Sequence, residues 1–386
     1  MHEPTSWATF AGRHARRAVE CVDLVAEPER LTAGGTWFVV ADFEAPLGTD
    51  GAVGGRRGTA RAWRFAEVGP APATPEPGPG GRWRGPVSST WRSSMDRDTY
   101  ERAVTHVRDR VRAGDVYQVN VCRVLSAPLA VGATPTGGLV EPDAAALAAR
   151  LASGNPAPHA AAIHVPAATG LDPVWVVSAS PELYLALDGG GAGPGGVRAR
   201  RLASGPIKGT ARTVDGLTLK DRAENVMITD LVRNDLQRVC RPGSVEVTDL
   251  LAVEEHPGLV HLVSRVRGAL ADDVAGAPDL WRRVLAATFP PGSVSGAPKS
   301  SALRLVGELE PVPRGPYCGA VGWVDADAGR AELAVGIRTF WWTDDEHEGG
   351  VLRFGTGAGI TWGSDPAAEW AETELKAARL VGLASS

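Results

Sequence analysis

Three apolar runs follow one another near the C-terminus: YCGAVGWVD (residues 317–325), AELAVGIRTFWW (331–342) and VLRFGTGAG (351–359), with only Asp/Gly-rich turns between them. Strands joined so tightly must run antiparallel, so the pattern predicts a meander. Working outward, residues 34–44, 58–68 and 116–125 read as further strands, and VWVVSASPELYLAL predicts two strands around Pro181. Helical spacing of Tyr100, Ala103, Val104, Val107 and Val111 predicts a helix starting at Asp96 and stopped by Gly114. A long helix is expected over 219–239. In the last one, Asp365 caps, Pro366 suits the first turn, and Ala367, Ala371, Leu375 and Ala378 form an apolar stripe. Strands without regular βαβ alternation predict an α+β fold, with mostly antiparallel sheets and helices packed outside.

At 386 residues the chain is long enough for a large core, organised as one unit or as several domains. The Pro/Gly-rich run at 69–86 reads as a loop or linker, and DGGGAGPGG (188–196) as a flexible insertion. A net charge of -5 with 22% charged residues lacks the basic excess that nucleic-acid binding requires. The four cysteines Cys21, Cys122, Cys240 and Cys318 form no CxxC pair, so neither a zinc site nor a disulfide framework is indicated, and a reducing cytoplasm fits. With no apolar run of 18 residues and no hydrophobic leader, no membrane segment is expected.

Several residues carry possible chemistry. Gln118, Asn120 and Cys122 share one face of their strand, which either meets solvent or lines a pocket. The 219–239 helix carries Asp221, Glu224, Asp230 and Asp235, as a solvated face would. Glu369 and Glu372 project from one side of the last helix, with Lys376 at salt-bridge spacing from Glu372. Were these two helices to pack together, three carboxylates would form an all-oxygen site suited to Mg²⁺. In TFPPGSVSGAPKSSALRL (288–305), a helix start beside Lys299, Ser300 and Ser301 could bind a carboxylate or a phosphate. Arg338, a cation among apolar neighbours, needs an anionic partner, either a ligand or a structural carboxylate. His261, followed by Leu-Val, reads as a core residue. Lys208 in SGPIKGTARTVD precedes Gly209 and so is no nucleotide-loop lysine; alone, it reads as a lysine in a turn.

Seven segments, in order, carry a resemblance: GDVYQVNV, SASPELYL, GPIKGT, DRAENVMITDLVRNDLQRVCRPGSVEV, HLVS, FPPGSVSGAPKSSALRLVGELEP with RGPYCGAVGW, and GAGITWGSDPAAEWAETELKA. Together they resemble the chorismate-utilising enzymes. The resemblance implies one large α+β sandwich, with residues 1–95 its N-terminal β-rich part and 96–386 the chorismate-binding catalytic region. It implies Mg²⁺ held at Glu224 and Glu372 with Glu369 nearby, and chorismate bound around Gln118, Gly209, Thr210, Ser295, Tyr317, Arg338, the Gly357-Ala358-Gly359 turn and Lys376. Glu182 matches a general acid, and His261 falls where the family keeps a pocket histidine.

Two positions divide this family by reaction. Isochorismate and salicylate synthases have a water-activating lysine where this chain has Gln118, and an amide cannot act as a general base. Anthranilate synthases read Pro-Ile-Ala-Gly where this chain reads Pro-Ile-Lys-Gly, as aminodeoxychorismate synthases do. The resemblance therefore points to amination of chorismate to 4-amino-4-deoxychorismate, with Lys208 as nucleophile. Anthranilate synthesis or a non-catalytic chorismate-binding subunit are the alternatives. Gly205 stands where an arginine is common, and Pro291 replaces a usual glycine. No glutaminase with a nucleophile cysteine is recognisable in the chain, so ammonia is expected from a separate glutaminase subunit or free in solution.

Overall fold

The computed structural model describes residues 6–48, 53–70, 82–130, 132, 139–193, 196–211, 213–256, 259–345 and 349–386. Their strands join into an 18-stranded antiparallel network with a separate small hairpin, Gly191–Gly193 with Gly196–Arg198. Helices pack against this network over two apolar cores. The larger holds Phe38, Trp37, Val104, Trp281 and Leu305. The smaller gathers Trp175, Phe340, Phe354, Leu147 and Leu380. The fold is the expected α+β, but the expected meander divides into two hairpins, Ala320–Asp325 with Arg330–Val335 and Thr339–Asp345 with Gly349–Ile360. It is not a simple series, because Thr339–Asp345 pairs with Val174–Ser180 and Gly349–Ile360, whereas Arg330–Val335 pairs with Ala320–Asp325 and Leu183–Leu187.

The strand Gln118–Pro128 lies inside the network, between Gly349–Ile360 on one edge and the short segments Gly296–Ala297 and Arg92–Ser93 on the other. Both of its faces are covered, so residues from Gln118 to Leu125 are buried and the polar row lines the interior rather than meeting water. The helix Arg97–Ala113 begins where Asp96 accepts a hydrogen bond from the Thr99 amide and ends at Gly114, whose φ of 84° is costly for any residue with a Cβ. Of the Pro/Gly-rich run, 71–81 lies outside the described residues. The stretch from 82 to 86 is no free linker: Trp83 is buried and its indole N–H donates to the Ala384 carbonyl at 2.8 Å.

The last helix, Pro366–Ala384, is capped by Asp365 as expected, but its buried face is Glu369, Thr373, Ala377, Leu380 and Ala384, while Ala367, Ala371, Leu375 and Ala378 are exposed. Hydrogen bonding sets this rotation. The buried Arg123 donates to the Thr373 hydroxyl, and the Thr356 hydroxyl donates to the Thr373 carbonyl. In the helix Leu219–Gln237 the four acids have four different tasks. Asp221 closes a capping box with Thr218, Glu224 turns toward the last helix, Asp230 pairs with Arg233 at the surface, and Asp235 is buried against Lys299 at 2.8 Å. Lys299 also donates to the Thr288 carbonyl, so it is bound internally rather than offered to an anion.

Removing one partner of a buried ion pair leaves the other charge unpaired in a low dielectric, so Lys299→Met is expected to lower the unfolding free energy by about 3–5 kcal/mol in urea titration. A loss within about 0.5 kcal/mol, typical of a surface change, would contradict this reading of the pair.

Candidate active site

Lys208 does not sit in a turn. It belongs to the strand Ile207–Ala211, which pairs with Leu259–Ala269 through a register shift between Ile207 and Thr210. Gly209 occupies the irregularity with a φ of +87°, and a Cβ there would come within 2.7 Å of Asp221 Cβ, so glycine is required both by conformation and by the approach of the helix start. His261 is buried on the adjacent strand, directly across from Thr210.

The Lys208 side chain reaches toward the strand Gly349–Ile360. A Cβ built on Gly359 would lie 3.3 Å from Lys208 Nζ and 2.4 Å from Gln118 Nε2. Glycine at 359 thus leaves open the space that the amine and the amide share. Gln118 is fully buried, yet neither its Nε2 nor its Oε1 has a hydrogen-bond partner. Buried amides are normally paired, so this one is a candidate contact for a bound molecule or a water. Gly357-Ala358-Gly359 is strand, not turn, in register with Cys122, Val121 and Asn120. Small residues there admit the strand Gln118–Pro128, since a Cβ on Gly357 would fall 2.5 Å from Cys122 Sγ.

Glu182 precedes the strand Leu183–Leu187 and is 3% exposed. Burial pushes its carboxyl up to about 7, against the opposing pulls of a Ser293 hydrogen bond, the Lys208 charge, the Ile207 N–H and the His159 charge. Arg338 lies between strands rather than within one, at a φ of +53°. Burial lowers its guanidinium and Glu182 opposes that shift, so Glu182 is the acid it senses; among the described residues no carboxylate stands within ion-pair distance of it. Tyr317 is buried with its ring against Gly355 and its hydroxyl 3.8 Å from Cys122 Sγ. The Ser295 hydroxyl donates within its own short helix, to the Pro291 and Gly292 carbonyls.

The carboxylates face each other across two helices. Lys220 Nζ donates to Glu369 Oε1 at 2.9 Å and stands 3.7 Å from Glu224 Oε1, while Lys376 pairs with Glu372 at 2.6 Å and donates to the Gly357 carbonyl at 3.1 Å. Burial raises the Glu224 carboxyl; the Lys208 and Lys220 charges oppose this, and Glu369 and Glu372 reinforce it. Burial acts upward on Glu372 as well, but Lys376 outweighs it and holds that group below the usual carboxylate range. Among the described residues no three His, Cys, Asp or Glu side chains are gathered into a set that grips a metal. The donor chemistry nonetheless fits a hard cation: the groups are all carboxylates, and Glu224 Oε1 and Glu369 Oε2 are buried without a hydrogen-bond partner.

Sequence reasoning missed Lys220 and Ser293. Lys220 sits four residues before Glu224, a spacing that reads as a surface pair and gives no sign of its bond to Glu369, 149 positions away. Ser293 lies in an anonymous run of small residues and only the fold brings it to Glu182.

Residues 72–382 match the family model described as chorismate binding enzyme, and the chain belongs to that family. It is 34% identical over 300 residues to anthranilate synthase component 1 of Saccharolobus solfataricus, covering 75% of this chain and 62% of that protein. It is likewise 34% identical over 307 residues to aminodeoxychorismate synthase component 1 of Salmonella typhimurium, covering 76% of this chain and 59% of that one. The matched stretch therefore spans about three fifths of those two relatives. In fold it is similar to anthranilate synthase component I of Streptococcus pneumoniae (TM-score 0.70, 22% identity, 99% of this chain and 91% of that one) and to the menaquinone-specific isochorismate synthase of Escherichia coli (TM-score 0.71, 17% identity, 99% and 89%). No helix among the described residues is long and apolar enough to cross a membrane.

Because the atoms nearest a Cβ on Gly359 are the side-chain ends of Gln118 and Lys208 rather than backbone, Gly359→Ala is expected to fold normally, with a melting temperature within about 2 °C of wild type, yet to bind chorismate at least about tenfold more weakly. Calorimetry of chorismate binding checks this, and unchanged affinity would remove the shared space from the site.

Proposed function

We propose that this chain is an aminodeoxychorismate synthase component I, converting chorismate and ammonia to 4-amino-4-deoxychorismate. The observation that carries the reading is the position of Lys208 Nζ beside Gly359 and the orphaned Gln118 amide, with Glu182 near enough to feel its charge. An amine and a protonated carboxyl in one pocket suit displacement of a hydroxyl. Once its ammonium has given up a proton to solvent, Lys208 bonds to the ring through Nζ while the C4–O bond breaks and Glu182 protonates the departing hydroxyl, which leaves as water; ammonia then forms the C4–N bond and Lys208 leaves. Gln118 has no basic lone pair with which to activate water, which disfavours hydration of the ring. In this reading Arg338, Tyr317 and Lys376 would contact the substrate, with Gly209, Thr210 and Ser295 in the segments that would frame it.

Glu224, Glu372 and Glu369 would hold Mg²⁺, which would supply positive charge for a carboxylate of chorismate. The ammonia would come from a glutaminase subunit, so the isolated chain should be inactive with glutamine alone and active with an ammonium salt.

Product analysis after incubation with chorismate, Mg²⁺ and an ammonium salt tests the proposal: 4-amino-4-deoxychorismate is expected, and anthranilate as the main product would favour the anthranilate-synthase reading. Lys208→Ala is expected to slow turnover at least about 100-fold while chorismate affinity changes less than about threefold. Wild-type rates in that variant would refute the nucleophile.

Glu182 must be protonated to act, so kcat/KM should fall as pH rises through about 7, and Glu182→Gln should lose that alkaline limb along with most of its activity. The raised carboxyl also favours the fold at low pH: its contribution is full below 4.5 and lost as pH rises through about 7. An activity profile flat from pH 6 to pH 9 would exclude Glu182 as the acid.

A further inference from the structure

Lys220 stands where two helices bring acidic groups together. It emerges from the first turn of Leu219–Gln237, and its ammonium bonds Glu369 Oε1 at 2.9 Å on Pro366–Ala384 and lies 3.7 Å from Glu224 Oε1 on its own helix. The Glu369 and Glu224 side chains are only 4% and 13% exposed, and each keeps one oxygen without a hydrogen-bond donor, Oε2 of Glu369 and Oε1 of Glu224. Of the other lysines nearby, Lys376 is engaged by Glu372 and the Gly357 carbonyl, and Lys208 acts on Glu224 through its charge without a hydrogen bond to it. Without a cation between them, Glu224 and Glu369 would repel each other where side chains from the two helices meet, since both carboxylates are largely buried although the Lys220 side chain is 44% exposed.

A divalent ion cannot share this space with an ammonium at bonding distance, because like charges a few ångströms apart in a poorly hydrated site repel strongly. Resting on the metal reading above, we propose that Lys220 is an internal counter-ion: it holds Glu224 and Glu369 together in the metal-free protein and is displaced when Mg²⁺ binds them. Lys220 thereby sets the metal affinity of the site and holds the two carboxylates in place while the metal is absent. Metal uptake then becomes an exchange of one cation for another rather than the filling of a bare acidic cluster. The unbonded oxygens of Glu224 and Glu369 are left over because the ammonium donates to Glu369 Oε1 and stands 3.7 Å from Glu224 Oε1, beyond hydrogen-bond distance.

The exchange has two signatures apart from turnover. In calorimetric titration with Mg²⁺, Lys220→Met should bind the ion about tenfold more tightly than wild type, since no competing cation has to be expelled. In wild-type protein labelled with an acetylating reagent and read by mass spectrometry, Lys220 should react several-fold faster with Mg²⁺ than with a chelator, while Lys299, buried on Asp235, stays unchanged. Labelling needs no variant and so tests the idea even if Lys220→Met folds poorly. Equal Mg²⁺ affinity in wild type and variant, or Lys220 labelling indifferent to Mg²⁺, would overturn the counter-ion role while leaving the metal site standing. No Mg²⁺ uptake by either protein at millimolar concentration would overturn the metal reading itself, and this role with it.

Discussion

The ladder that runs from Val351↔Pro128 to Ile360↔Val119 aligns Gly359 with Asn120, next to Gln118, deep inside an antiparallel network. Burial on both faces forces the polar residues of this strand to look inward, and glycines on the facing strand make the room they look into. Lys208 can share that room only because its own strand breaks register at Gly209 and the helix carrying Glu224 starts hard against that glycine. Were the ladder to slip by one residue, every side chain on it would change face and the pocket would close.

Charge in this pocket is balanced between distant segments rather than within any one of them. Glu182 is driven toward its protonated form by burial, while the Lys208 charge and the Ser293 hydrogen bond limit the shift. Glu224 is raised and Glu372 lowered although both are carboxylates facing the same region, because Lys376 bonds Glu372 directly whereas Glu224 has only more distant cations. Neighbouring groups pushed in opposite directions are how one pocket can hold a proton donor and an anionic ligand set together.

The C-terminal strands, the capped helices and the strand break at Pro181 were readable because local pattern and local structure agree there, but the run 331–342 divides between two hairpins instead of forming the middle strand of a meander. The final helix was misread for a physical reason. Its alanines and Leu375 form the apolar stripe in sequence, but hydrogen bonds donated by Arg123 to the Thr373 hydroxyl and by Thr356 to the Thr373 carbonyl turn Thr373 inward, and Glu369 follows on the same face. Lys299 looked like an anion binder because its partner, Asp235, is 64 positions away and invisible to local reasoning. Ordered motifs marked Lys208, Glu182, Gln118 and the three glutamates as candidates. The structure adds that Lys208, Gln118 and Gly359 share one space, and that Lys220 bridges two acids which no spacing rule connects.

The most direct test of the central claim is intact-protein and peptide mass spectrometry of the wild-type chain held with chorismate and Mg²⁺ in the absence of any ammonia source. If Lys208 attacks the ring as the 4-hydroxyl departs, the protein gains the mass of chorismate less one water, on the peptide carrying Lys208, and added ammonium discharges it. A chain that stays unmodified under these conditions, yet forms 4-amino-4-deoxychorismate at full rate once ammonium is supplied, would contradict the covalent role of Lys208.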